Sequence, residues 1–123
     1  MYLNKTNLFL AISVCLIFFF LTYFDVKSSE LKIIDGDTIH LNGEKIRFSG
    51  IDTPELKQTC IKNSEVIKCG IKAKELLIKV IGNKKIDCVR EGKDQYKRTL
   101  AECFVNDLSL SSYLVKSGYA FAY

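Results

Sequence analysis

Between Ile33 and Glu55 the chain gathers Asp35, Asp37, Asp52 and Glu55 around one arginine, Arg47, and its only proline, Pro54. Carboxylates collected beside a guanidinium suit a hard cation and an anion held together. The oxygen-only set of Asp37, Asp52 and the Thr53 carbonyl is ligand chemistry for Ca²⁺ or another hard ion, with waters completing the shell. A guanidinium fork can bind two phosphate oxygens at once, which a lysine cannot imitate. Hydrolysis of a phosphodiester needs a cation to gather charge, donors for the extra charge of the transition state, and a base for the water. All three kinds of group stand within this one stretch.

The elements that must position them follow from local pattern. Asn42-Gly43 lies between two alternating apolar runs, the signature of a hairpin with a type I′ turn. Such a turn pairs Ile39 with Ile46, Leu41 with Glu44, Thr38 with Arg47, and sets Phe48 opposite Asp37. Period two then puts Ile39, Leu41, Ile46 and Phe48 on one face and Thr38, His40 and Arg47 on the other. The hairpin brings Asp37 beside Arg47, and Asp52 and Glu55 follow a few residues later. Gly36 permits a tight backbone between two neighbouring carboxylates. Pro54 fixes its own φ and pushes Thr53 toward an extended form, stiffening the loop that presents Asp52, Thr53 and Glu55.

This arrangement resembles the thermonuclease, or staphylococcal nuclease-like, family. The family pattern of D-G-D-T, an arginine in the next strand and D-[TA]-P-E is met by Asp35-Gly36-Asp37-Thr38, Arg47 and Asp52-Thr53-Pro54-Glu55. A second motif, D-x-Y-G-R-x-L-A, is met by Asp94-Gln95-Tyr96-Lys97-Arg98-Thr99-Leu100-Ala101. The resemblance runs from about Leu31 to Tyr123. It implies a mainly β fold with helices (α+β), a five-stranded OB-type barrel, and a Ca²⁺-dependent nuclease acting on DNA and RNA, preferring unpaired strands and leaving 3′-phosphate ends. It also implies roles: Asp37, Asp52 and Thr53 for the metal, with Asp35 in support; Glu55 as general base; Arg47 and Arg98 as the catalytic arginines. Tyr96 would stack on a base or hydrogen-bond a phosphate, unless it packs in the barrel. Arg98 could instead serve a surface ion pair with Asp94 or Glu102. The chain departs from the pattern in three ways. Lys97 stands where the family has glycine, the hairpin is short, and the helix that follows the position of Tyr123 in family members is expected to be missing, which would lower stability.

Residues 1–30 read as a separate unit, with residues 31–123 as the nuclease-like OB domain. Lys5 precedes an apolar run over residues 8–24 broken only by Ser13 and Thr22. Such a run serves as a signal peptide or as an N-terminal membrane anchor if it is not cleaved. Val14 before Cys15 argues against a lipoprotein signal. Four cysteines lie beyond it, at 60, 69, 88 and 103. In an exported domain this small they point to two disulfides. Cys60–Cys69 would close the loop before a helix and Cys88–Cys103 would join neighbouring strands, with two other pairings formally open. No C-x-x-C occurs, and the one histidine, His40, belongs to the hairpin, so zinc is a poor reading.

The remaining pattern is a polar loop over 57–68, a helix from Gly70 with Ile71, Ala73, Leu76, Leu77 and Val80 on one face, strands at Ile86–Val89 and Thr99–Val105, and a short helix near Leu110–Lys116 stopped at Gly118. The net charge of +4 mildly favours anionic partners. The chain is thus expected to be an exported, monomeric nuclease on single- or double-stranded DNA and RNA. The rival reading is an inactive or truncated OB module that binds nucleic acid or another partner without cleaving it.

Overall fold

The strands β1 (Leu31–Ile33), β2 (Thr38–Leu41) and β3 (Glu44–Phe48) form an antiparallel meander, with Thr38 opposite Arg47, Ile39 opposite Ile46 and Leu41 opposite Glu44. This is the register that the Asn-Gly turn predicts. Asn42 and Gly43 both adopt positive φ, 52° and 82°, the left-handed pair a type I′ turn requires. The computed structural model describes residues 12–16 and 29–123. Residues 12–16 are helical and exposed; residues 1–11 and 17–28 of the expected signal or anchor segment lie outside the described residues. Among the described residues no helix is long and apolar enough to cross a membrane.

After β3 come β4 (Ile51–Asp52), a small hairpin of β5 (Cys60–Lys62) and β6 (Glu65–Ile67), and helix α1 (Cys69–Ile81). The chain continues through β7 (Asp87–Lys93), β8 (Thr99–Val105), β9 (Leu108–Ser109), helix α2 (Leu110–Lys116) and β10 (Phe121–Ala122). The main sheet runs β1-β2-β3-β8-β7, with β9 also beside β8. Among the described residues only β3 with β8 is parallel; the other pairs are antiparallel. Five strands along one path with two helices packed on them make an α+β fold of the OB type expected.

One apolar core holds the sheet and helices together. Ile39, Leu41, Ile46 and Phe48 from the hairpin meet Ala101, Cys103 and Val105 of β8, Leu77 and Ile81 of α1, and Leu110 and Leu114 of α2. Buried residues alternate along the whole of β8, the period of a strand with one face on a core. Both disulfides join the expected partners, Cys60 with Cys69 and Cys88 with Cys103, the second pair directly opposed across β7 and β8.

Three expectations need correction. The stretch 57–68 is not all loop: β5 and β6 turn at Asn63-Ser64, again with both φ positive. Its apolar Ile61 and Val66 face solvent, so no core-directed alternation marks it in the sequence. Strand β7 runs past Val89 to Lys93, because pairing with β8 resumes after a bulge between Arg90 and Gly92. Ile71, assigned to the buried face of the helix, is exposed, while Gly70 takes the buried place.

Glu44 ties three strands together at one end of the core-facing side of the sheet. Its carboxylate accepts from the Arg90 side chain on β7 (Nε at 3.0 Å) and from the Thr99 hydroxyl on β8 (2.7 Å). The Arg90 hydrogen bond, then that of Thr99, holds its pKa below the ordinary 4.5. A carboxyl depressed in the folded state adds stability above its unfolded pKa and loses it as pH falls through the folded one. Glu44→Gln should therefore lower the urea midpoint at pH 7, and the gap from the parent should close as pH falls below 4.5. A gap of equal size at pH 7 and at about pH 3 would contradict this linkage.

Candidate active site

Asp37 is the centre of the site, and its side chain is only 3% exposed. A carboxylate so buried needs donors on both oxygens. Oδ1 accepts from Arg47 Nη1 at 2.7 Å and from the Thr38 hydroxyl at 3.1 Å. Oδ2 accepts from the Thr53 amide at 2.9 Å and the Thr53 hydroxyl at 3.0 Å. Burial still dominates: it outweighs the Thr53 amide bond and the Arg47 charge and holds the Asp37 pKa above the usual carboxylate value. Asp35 supports from behind, its Oδ1 accepting from the Asp37 amide at 3.1 Å.

Arg47 spans two acids. Its Nη1 takes Asp37, and its Nη2 donates to Asp52 Oδ1 at 2.6 Å, so one guanidinium draws both carboxylates together. Burial works against the Arg47 charge, but the Asp52 hydrogen bond and the charges of Asp37 and Asp52 outweigh it and raise its pKa. Asp52 remains 62% exposed. Glu55 is exposed on the loop after β4, and among the described residues its carboxylate has no hydrogen-bond partner. The loop backbone is held instead: the Glu55 amide donates to Gln58 Oε1 at 3.0 Å, and the Gln58 amide donates back to the Glu55 carbonyl at 2.7 Å.

The second motif forms the turn between β7 and β8. Asp94 Oδ1 accepts from the amides of Tyr96 (2.8 Å) and Arg98 (2.9 Å), and Oδ2 accepts from Arg98 Nε at 2.6 Å. Burial acts to raise the Asp94 pKa, but the Arg98 hydrogen bonds outweigh it and hold it below the usual range. The ion pair with Asp94 is real, yet it uses only Nε. Among the described residues neither terminal nitrogen of Arg98 has a protein partner. The guanidinium carbon sits 5.4 Å from the centre of the exposed Tyr96 ring, so Tyr96 is not packed in the sheet core. Lys97 has φ 62°, a left-handed backbone at the place where the family pattern has glycine.

Arg47, Arg98, Tyr96, Leu100 and Tyr123 line one cleft of about 390 Å³. Glu55 is not part of its wall. Tyr123 is a residue that sequence reasoning did not single out. It arrives because β10 pairs with β4, Phe121 opposite Asp52, and the Tyr123 amide donates to the Gly50 carbonyl at 3.1 Å. The spacing of Tyr119, Phe121 and Tyr123 carries the period-two signal that could have revealed it.

Among the described residues no group of three His, Cys, Asp or Glu side chains could hold a metal alone. The expected set has two acids and a backbone carbonyl, and its two acids do meet, at Arg47. Carboxylate and carbonyl oxygens are the donors a hard divalent ion takes, and at this place it would have to displace donors already seated, Arg47 on Asp52 and Arg47, Thr38 or Thr53 on Asp37.

The model of the staphylococcal nuclease homologue family matches residues 45–123, which include Arg47, Asp52–Glu55 and Arg98. The chain belongs to that family. Among relatives, an uncharacterised endonuclease of Haemophilus influenzae is 34% identical over 98 residues, covering 76% of this chain and 50% of that protein. A thermonuclease of Staphylococcus intermedius is 36% identical over 95 residues, covering 72% of this chain and 55% of its own length. An uncharacterised protein of Methanocaldococcus jannaschii is 35% identical over 118 residues, with 76% and 57% covered. The chain thus spans about half the length of these relatives.

Within this family member the glycine of the D-G-D-T motif has a packing reason. The chain does bend tightly at Asp35–Asp37, but Gly36 does not adopt positive φ, so contact rather than conformation calls for glycine there. A Cβ there would lie 2.8 Å from Thr53 Oγ1 and 2.9 Å from the Ala73 Cβ of α1. It would push Thr53 off Asp37. Gly36→Ala should therefore destabilise by about 1–3 kcal/mol, the usual range for overpacking. Urea unfolding checks this, and a change below about 0.5 kcal/mol, the level of a neutral surface substitution, would refute it.

Proposed function

We propose that the chain is an exported, Ca²⁺-dependent nuclease that hydrolyses phosphodiester bonds of DNA and RNA with little regard to sequence. The observation that supports this most is the shared cleft of Arg47 and Arg98, the first locked by two carboxylates and the second with both terminal nitrogens unpartnered among the described residues. A binding module has no need for two arginines pre-set beside an acid cluster and an exposed glutamate.

Asp37 and Asp52 hold Arg47 in one orientation, so its guanidinium reaches a phosphate without reorganising when charge develops there. Arg98, steadied through Nε by Asp94, offers its other two nitrogens to the phosphate and to the departing 5′ oxygen. Glu55 takes the proton of the attacking water; its exposure and lack of other partners leave it free to do so. Ca²⁺ held by Asp37, Asp52 and the Thr53 carbonyl would supply further positive charge against the phosphate. Tyr96 and Tyr123 offer aromatic rings to an unpaired base. Contacts of this kind to phosphate read no sequence. Export is supported by the two disulfides and the apolar run over residues 8–24.

Cleavage of single-stranded DNA should require Ca²⁺ and stop with EGTA. Glu55→Gln should lower turnover by about 10²–10⁴, the range for a positioned base, with nucleic-acid binding retained. Arg98→Lys should cost about 10²–10³, since it keeps charge but loses the fork. Parental Ca²⁺-dependent rates in both variants would remove these residues from the mechanism.

A further inference from the structure

The start of α1 presses on the loop that carries Glu55. Gly70 lies in the first turn of the helix and is buried. Glycine in a helix costs about 1 kcal/mol against alanine, so its place needs a reason. Its φ is not in the left-handed region, so conformation is not that reason. Contact is: a Cβ on Gly70 would overlap the carbonyl oxygen of Glu55, 2.6 Å from the Glu55 carbonyl carbon and 2.9 Å from that of Leu56. These are backbone atoms, which cannot step aside without moving Glu55 itself.

Two more ties join the same surfaces. The Gly70 amide donates to the Gln58 carbonyl at 3.4 Å, and Gln58 exchanges hydrogen bonds with Glu55 in both directions. Two residues further on, Cys60 is bonded to Cys69, the residue before Gly70. Helix α1 is itself packed on the core, with Ala73, Leu77 and Ile81 on the same side buried. Ala73 reaches the opposite wing of the site at Gly36. One helix face thus touches both acid loops.

We propose that Gly70, Gln58 and the Cys60–Cys69 bridge are positioning residues for Glu55, fixing its loop on the first turn of α1. The Cys88–Cys103 bridge, between β7 and β8, serves stability alone. This rests on the reading of Glu55 as the base.

The test uses the full chain, with Gly70→Ala, Gln58→Ala and the double variant Cys60→Ser/Cys69→Ser made alone and on a Glu55→Gln background. Cys88→Ser/Cys103→Ser is the control. Displacement of a reacting group by about 1 Å costs on the order of 10² in rate. Gly70→Ala should lower kcat by about that factor, and Gln58→Ala and the bridge variant by about tenfold, while KM for single-stranded DNA stays within about twofold. None should lower kcat further once Glu55 is glutamine, the mark of groups acting as one unit. The control should lower Tm and keep kcat at temperatures below it. Gln58 is exposed and carries the test if Gly70→Ala does not fold. Parental kcat in the Gln58 and bridge variants, or losses that multiply undiminished onto Glu55→Gln, would overturn the proposal. Parental activity of Glu55→Gln itself would instead overturn the assignment of the base.

Discussion

Burying one carboxylate is the constraint from which the rest of this structure follows. Asp37 lies under the hairpin end with almost no exposure, and a charge there is costly unless every lone pair is met. Its four donors come from three places in the chain: Thr38 beside it, Arg47 across the hairpin, and Thr53 sixteen residues on. Satisfying the acid therefore draws the hairpin and the loop after β4 together. Arg47 extends the arrangement to Asp52, which faces solvent. A buried acid holds a cation rigid, and the rigid cation draws in an exposed acid. The result is a charged site fixed at its base and open at its rim.

Helix α1 completes that base without contributing any charge to it. Small residues do the work: Gly36 and Ala73 meet on one side, Gly70 and the Glu55 backbone on the other. Close packing of backbones transmits position better than long side chains do, since no rotamer is free to absorb a shift. The core beneath, with Leu77 and Ile81 against Phe48 and the β8 residues, sets where the helix lies. Stability of the core and geometry of the site are therefore linked through one helix face.

Much of this was legible in the sequence where two signals agreed. The β2–β3 register followed from Asn42-Gly43 together with the alternation of Ile39, Leu41, Ile46 and Phe48. Strand β8 was legible at Thr99–Val105 and helix α2 between the Asn106-Asp107 turn and Gly118, and the cysteines paired in the way first expected of three formally open. Signals failed where the cause was distant or faced water. Strands β5 and β6 turn Ile61 and Val66 outward, so their pattern has no core to point at. Strand β7 continues through a bulge that polar residues do not announce. Gly36 reads as a turn glycine and lies in a bend, but its packing against Thr53 and Ala73 has no local sign. Gly70 gives no local sign of what rests on it. Neither does Thr53, whose bonds to Asp37 exist only once the chain has folded.

The proposed chemistry turns on whether Asp37 and Asp52, now drawn together at Arg47, can seat a hard cation. Calorimetric titration of Ca²⁺ into the folded chain, beside an Asp52→Asn variant with the same thermal midpoint, tests it most directly. Loss of an ordering neighbour of a metal ligand commonly weakens binding 10–100-fold, and loss of a ligand itself should do at least as much. One Ca²⁺ per chain should bind the parent, with binding weakened by about tenfold or more in Asp52→Asn. Equal Ca²⁺ affinity in the two proteins, or none in either, would contradict it.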